Sequence, residues 1–299
     1  MTSSIEDNKL KWGHMSKMSN NKFYPEKPDD DLDMFLGLLD NQNAQLNRLK
    51  KKDSDLWKTI LFKLKVDWTY NSNSIEGSTF TRGDTIFFLN EGLTVKGKPL
   101  KDHLDTQNHA DAIDFLFDVV ANKREISESL IKEINALLLH GIKSTPAMTL
   151  DRKAIEKKAT PGQYKTQPNH VLQQDGTLHK YVDPVQVQSE MESLVQWVND
   201  NLDKKHPCYV ASVAHYNMVR IHPFDDGNGR GARILMNLIL LKSGYFPAVI
   251  RVEQRQDYIE ALQKADKGDL VPFVECITKE LINTLEGVIN NIQKLESDG

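Results

Sequence analysis

The chain has 299 residues, of which 27% are charged; 38 basic side chains stand against 42 acidic ones, a formal net charge of −4 with a pI near 6.2. That length can bury a large core as one domain or two, and the nearly balanced, slightly acidic charge excludes the basic footprint of a nucleic-acid binder. No apolar run reaches membrane-spanning length, residues 1–11 lack the apolar core of a secretory signal, and Cys208 and Cys276 have neither metal nor redox spacing, so a reducing, cytoplasmic setting without membrane contact is the expectation. Residues 1–28 are polar, rich in Asn, Ser and Lys, and read as poorly ordered. Asp29-Asp30-Asp31 before an apolar-periodic stretch predicts a capped helix over Leu32 to Leu49; Arg48 and Lys50 to Lys52 read as its solvated end. A second helix is predicted from Asp55 to Ser74. Thr81-Arg82-Gly83-Asp84 then leads into the apolar run Ile86 to Leu89, and 92–99 is a turn-rich connector. Helices follow over His103 to Val120 and Ile126 to Leu139. The segment Val171 to Val182, with Asp175-Gly176 inside it, fits a hairpin. Further helices cover Val185 to Asn201, Cys208 to Ile221, a stretch from Arg230, Gln254 to Lys267 and Val271 to about Leu295, so the fold class is mainly α.

One short segment carries the chemistry. It runs His222-Pro223-Phe224-Asp225-Asp226-Gly227-Asn228-Gly229-Arg230-Gly231-Ala232-Arg233. Pro223 disfavours helix at the residue before it, which puts His222 just past a helix end. Gly227 and Gly229 can take positive φ and admit a ligand close to the backbone. The apolar run beginning at Arg230 predicts a buried helix, so the Gly-Asn-Gly turn lies at a helix N-terminus, where unpaired N–H groups and the dipole favour phosphate. Asp226 offers the hard oxygens that suit Mg²⁺ held jointly with phosphates. Arg230 and Arg233, three apart, project side by side with guanidinium forks suited to phosphate. His222 is the candidate general base. With no Cys, Ser or Thr in the segment, nothing points to a covalent enzyme intermediate.

The segment resembles the Fic signature, His-x-Phe-x-Asp/Glu-Gly-Asn-Gly-Arg-x-x-Arg, with every fixed position present. The resemblance implies a Fic-type helical bundle with a short β-hairpin flap, and transfer of AMP from ATP to a Ser, Thr or Tyr hydroxyl of a target protein. It implies that His222 deprotonates the hydroxyl, Phe224 anchors the loop, Asp226 binds Mg²⁺, Gly227, Asn228, Gly229 and Arg230 hold phosphates, and Arg233 holds the γ-phosphate. Upstream, Pro161-Gly162-Gln163-Tyr164-Lys165 resembles the family's Gly-x-Tyr-Arg segment at the start of the target-clamping flap, with Lys165 in place of Arg; Gly162, Tyr164 and Lys165 are the flap residues so implied. Downstream, the resemblance places Tyr258 near the base, while Asp266 stands where many relatives carry Asn.

Ser72-Asn73-Ser74-Ile75-Glu76-Gly77 matches the family's inhibitory pattern, Ser/Thr-x-x-x-Glu-Gly/Asn. By resemblance Glu76 pairs with Arg233 and occupies the place of the γ-phosphate, with Ser72 as the first motif residue. This divides the chain into an N-terminal helical region, 1–95, and a core domain, 96–299. Gly229 stands where a phosphate-transferring branch carries Lys, which argues against phosphotransfer. Alternative readings are a nucleotide-responsive binding module with little turnover, transfer of UMP or phosphocholine, and removal of AMP. A homodimer is a further expectation of the resemblance.

Overall fold

In a computed structural model the described residues are 22–25, 30–49, 54–148, 154–172 and 178–297. They form ten helices and two small antiparallel hairpins. The helices are α1 (Asp30–Leu49), α2 (Ser54–Ile75), α3 (Arg82–Glu91), α4 (Leu100–Ala121), α5 (Glu128–Leu138), α6 (Pro184–Asn201), α7 (Pro207–Ile221), α8 (Asn228–Lys242), α9 (Arg255–Asp266) and α10 (Val271–Ser297). The mainly α reading holds, and the helix limits fall close to those predicted. The one short 3₁₀ turn, Val252–Gln254, leads into α9.

The hairpins divide differently from expectation. Strands β3 (Val171–Leu172) and β4 (Leu178–His179) pair where the sequence predicts a hairpin; its Asp175-Gly176 turn lies outside the described residues. A second hairpin, β1 (Ser144–Met148) with β2 (Ala154–Lys158), was not foreseen. Its sequences lack a clean alternation of apolar and polar residues, so the periodicity signal was absent.

α7 and α8 are the central pair. α8 also packs on α4 and α5, and α10 packs on α1, α7 and α9. Helix α8 is enclosed on all sides from Arg230 to Leu240, apolar except for the buried Arg230, Arg233 and Asn237. Ile234, Leu238, Ile239 and Leu240 have no exposed surface, and each such side chain contributes about 1.5–3 kcal/mol through burial. One apolar cluster runs from Leu36, Leu39 and Ile60 through α4, α5, α7 and α8 to α10, so the helices on both sides of residue 95 share a core.

The path of α2 bears on the site. Its end is closed by Gly77 at φ +95°, with Gly77 N–H on the Ser74 carbonyl and Ser78 N–H on the Asn73 carbonyl. Asn71 accepts the Val252 N–H, Asn73 donates to the Asp105 carbonyl, and Arg255 donates to the Ile75 carbonyl. Thr81 and Asp84 then form a capping box that starts α3. The expectation of poor order over 1–28 does not hold for 22–25. Asn217 donates to the Phe23 carbonyl, Tyr209 to the Pro25 carbonyl, and Arg220 lies over the Phe23 ring. The remainder of 1–28 lies outside the described residues.

Candidate active site

The loop between α7 and α8 carries the signature residues. His222 caps α7 in the left-handed region, φ 51° and ψ 59°, a conformation that costs a non-glycine residue about 1–3 kcal/mol and gathers at functional sites. Pro223 forbids continuation of the helix. Phe224 is buried and packs on Tyr164 at 5.5 Å between ring centroids. The Asn228 side chain closes the loop upon itself, accepting the Phe224 N–H at 2.9 Å and donating to the Phe224 carbonyl at 2.8 Å. Its amide is spent on building the turn. Gly227 enters α8 at φ +78°, where a Cβ would press on Asn135 and Leu139.

The imidazole of His222 is driven towards neutrality. Burial is the main cause, the nearby positive charge of Lys165 adds to it, and together they pull its pKa down to about 3 despite the Val219 backbone working in the other direction. At neutral pH the ring is therefore an unprotonated acceptor.

Arg233 is buried in α8 and fully engaged. Its Nε donates to Ser72 Oγ at 2.9 Å, and Nη2 donates to the Ser72 carbonyl and to Glu76 Oε1, each at 2.8 Å. The Glu76 carboxylate lies against Gly229 at the N-terminus of α8: a Cβ on Gly229 would stand 3.2 Å from Glu76 Cδ and 3.3 Å from Arg233 Nη1. Burial opposes the charge on Glu76, but Arg233, by charge and hydrogen bond, with Arg230 and Arg255 further off, holds the carboxyl below the ordinary carboxylate range.

Arg230 faces elsewhere. Its side chain is 3% exposed and its Nη1 donates to Asp105 Oδ1 at 2.5 Å, with Nη2 3.8 Å from Asp226 Oδ1. The Asp105 contact occupies one of the five guanidinium N–H donors and leaves Nη2 on the Asp226 side. Asp226 is partly exposed; Oδ1 accepts the Gly227 N–H at 2.5 Å and its backbone carbonyl accepts Asn135 Nδ2 at 3.0 Å. Among the described residues no group of three or more His, Cys, Asp or Glu side chains is placed to hold a metal by itself.

The three flap residues named from sequence lie beneath the loop. Gly162, at φ +72°, gives its N–H to Asn135 Oδ1 and packs on the Lys132 carbonyl, where a Cβ would stand at 3.1 Å. Tyr164 donates to Glu128 at 2.8 Å. Lys165 is 3% exposed; its N–H donates to the Pro223 carbonyl and its ammonium to Asn169 Oδ1, and burial lowers its pKa to about 8. These residues buttress the signature loop, whereas the exposed Val171 and Leu178 belong to the β3–β4 hairpin itself. Tyr258, 2% exposed, is part of the packed wall behind Arg233, with its hydroxyl on His215 Nε2 at 3.1 Å.

Sequence reasoning missed three positions. Asn135 bridges Gly162 and Asp226 from α5; an Asn on the apolar stripe of a strongly amphipathic helix was the available signal. Asp225 anchors the unforeseen hairpin through Lys157 and Thr160, at 2.7 and 2.9 Å. Tyr181 stacks on His222, with ring centroids 3.8 Å apart and planes at 20°; nothing in the one-dimensional pattern marked it.

Comparison with known proteins agrees with this geometry. The model of the Fic/DOC family matches residues 125–240. Protein adenylyltransferase fic-1 of Caenorhabditis briggsae is 32% identical over 216 residues, covering 71% of this chain and 39% of that protein. Protein adenylyltransferase Fic of Nematostella vectensis is 30% identical over 222 residues, covering 74% and 48%. The chain thus spans between two-fifths and half the length of these curated relatives. A crystal structure of a Fic-domain-containing signaling protein from Bacteroides thetaiotaomicron superposes with a TM-score of 0.75 at 30% identity, over 87% of this chain and 97% of that one. Fic-1 of Caenorhabditis elegans gives 0.72 at 26% identity, over 87% and 72%. With its signature loop, its helical scaffold and a 30% identical counterpart matched over nearly its whole length, the chain belongs to the Fic/DOC family.

Proposed function

We propose that this chain is a protein adenylyltransferase that carries its own inhibitor, Glu76. In the reaction, the oxygen of a Ser, Thr or Tyr hydroxyl on a target protein attacks the α-phosphorus of ATP. The new P–O bond forms as the bond to the bridging oxygen breaks, pyrophosphate leaves with that electron pair, and the hydroxyl proton passes to His222. Catalysis of this kind is chiefly positioning and charge stabilisation. The neutral His222, the glycine-flanked N-terminus of α8 and the guanidinium of Arg233 supply those functions.

The observation that carries the proposal is the contact of Glu76 and Ser72 with Arg233, beside Gly229. One guanidinium cannot fully serve the carboxylate and a γ-phosphate together. We infer that the clamp holds ATP out, or holds it unproductively, and that residues 1–95 act as a regulatory segment on a 96–299 core. Asp226 fits an Mg²⁺ ion that arrives with the triphosphate: it offers one hard, partly exposed carboxylate next to the turn, and phosphate oxygens complete such a set. The ion, when bound, neutralises charge on the departing pyrophosphate. Gly227, Gly229 and the first N–H groups of α8 are assigned to the phosphates, and Tyr258 acts through Arg233. No helix among the described residues is long and apolar enough to cross a membrane; the unpaired Cys208 and Cys276 support a reducing, cytoplasmic setting. Exposed Ile86, Phe87, Leu93 and Leu100, on α3 and around the connector to α4, support a homodimer, which light scattering tests.

The deciding experiment incubates wild type, Glu76→Gly and His222→Ala with α-labelled and γ-labelled ATP in lysate. We expect Glu76→Gly to raise α-label transfer and His222→Ala to abolish it. Equal labelling in all three contradicts the mechanism, and γ-label transfer indicates kinase chemistry. α-labelled UTP and labelled CDP-choline in parallel test the other donors.

A further inference from the structure

We propose that Tyr181 is the positioning residue of the His222 base: stacked on the imidazole, it fixes the plane of the ring, so that a hydroxyl held by a bound protein rather than mobile water becomes the acceptor. This rests on the adenylyl-transfer reading above and deepens it.

A catalytic histidine is usually oriented by a hydrogen bond on its second nitrogen, commonly to a carboxylate. Here Nδ1 of His222 is buried and lies near the Val219 backbone without good hydrogen-bond geometry. The residue also sits in a strained left-handed conformation at a helix end. Packing must therefore share in holding the ring, and Tyr181 stacks on one of its faces at 3.8 Å. Tyr181 comes from the segment that returns from the flap, just after β4, and it is braced in turn. His179 meets it edge-on at 4.7 Å and 71°, and His179 Nδ1 lies 3.9 Å from Asp266 Oδ2. Asp266 Oδ1 accepts the Tyr216 hydroxyl of α7 at 3.2 Å. A ladder Asp266–His179–Tyr181–His222 thus ties the flap's return strand to the end of α9, to α7 and to the base. The Lys165 ammonium stands 5.8 Å from the Tyr181 ring centroid on the buttress side. Burial first, then the charges of Asp266, Glu76 and Tyr258, push the phenol's pKa up to about 12, so it stays protonated.

The consequence is a choice of acceptor. The same base that accepts a proton from an alcohol accepts one from water. The water oxygen then bonds to the α-phosphorus, the bond to the bridging oxygen breaks, pyrophosphate departs with the electron pair, and free AMP forms. A bare imidazole beside bound ATP invites that reaction. With the phenol ring stacked on one face, the plane of the imidazole is held and its in-plane lone pair stays aimed at the one place where a bound peptide presents its hydroxyl; a ring free to turn loses that fixed partner while still meeting mobile water.

The test uses the full chain in the Glu76→Gly background and compares Tyr181, Tyr181→Phe and Tyr181→Ala. α-Labelled ATP separates free AMP from protein-bound AMP. We expect Tyr181→Ala to raise the ratio of free to bound AMP about 10-fold or more, since small losses of positioning carry large rate effects, and Tyr181→Phe to stay within about twofold. An unchanged ratio in Tyr181→Ala, or an equal rise in Tyr181→Phe, overturns the proposal. The His222 ring protons, followed by NMR, give a reading that needs no catalysis: an upfield shift from the stacked ring, kept in Tyr181→Phe and lost in Tyr181→Ala. If no variant consumes ATP, the adenylyl-transfer reading fails by itself, and a His222 signal indifferent to Tyr181→Ala still refutes the positioning role.

Discussion

Replacing Glu76 with Gly should tighten ATP binding while loosening the empty protein. Glu76 is 44% exposed at its side chain, whereas its partner Arg233 is 3% exposed. The carboxylate therefore gives up only part of its hydration, and the guanidinium bears most of the cost when the pair is broken. A hydrogen bond to a charged group contributes about 1.5–3 kcal/mol. The link at 2.8 Å is such a bond, and Ser72 retains its two contacts with Arg233 in the variant. The ATP-free protein should thus lose about 1–3 kcal/mol, the lower end being favoured by the exposure of Glu76. The same amount is released to the nucleotide, because ATP no longer displaces the carboxylate, so its Kd should fall about 5- to 150-fold. Titration calorimetry with a non-hydrolysable ATP analogue reads the affinity, and thermal melts with and without the analogue read the stability. The variant should melt lower alone and gain more from ligand. Glu76→Gln, which keeps an acceptor and loses the charge, should fall between. An unchanged or weaker affinity in Glu76→Gly would show that Glu76 and the nucleotide do not compete for Arg233.

Three further outcomes follow. His222 has a folded pKa near 3 against 6.5 unfolded, so between those values the unfolded chain binds the extra proton; its contribution is whole above pH 6.5 and is lost as pH falls towards 3, and His222→Ala should flatten that part of a melting-temperature-versus-pH curve. The Glu76 carboxyl is depressed, so the clamp's stability is present above the ordinary carboxylate pKa of 4.5 and is lost only as pH falls through a still lower value; nucleotide affinity in wild type should not rise between pH 8 and 5, and a rise there would contradict the pairing. Asn135→Ala removes the bridge from Gly162 N–H to the Asp226 carbonyl in a buried setting and should destabilise by about 2–4 kcal/mol in urea unfolding, whereas a change under 0.5 kcal/mol would show that the loop stands without it.

What the sequence disclosed divides by physical cause. Helix positions were legible because periodicity and caps are local: the acidic start of α1 and the Pro223 stop after α7 lie within a few residues of what they specify. The signature loop was legible because its residue types are rare in combination. Pairings between distant segments were not. That Arg230 faces Asp105, that Lys165 lies buried under Pro223, and that Tyr181 covers His222 depend on how α4 meets α8 and how the segments around the two hairpins meet the loop before it. The weak strands β1 and β2, whose hairpin is anchored by Asp225, had no pattern to announce them.

The most direct test of the account is a crystal structure of Glu76→Gly with a non-hydrolysable ATP analogue. It should show the γ-phosphate on Arg233, the phosphates along Gly227 to Gly229, and the α-phosphorus placed so that a hydroxyl held by His222 stands about 3–3.5 Å away in line with the leaving oxygen. A triphosphate bound elsewhere, with no phosphate on Arg233 and the imidazole remote from the α-phosphorus, would contradict it.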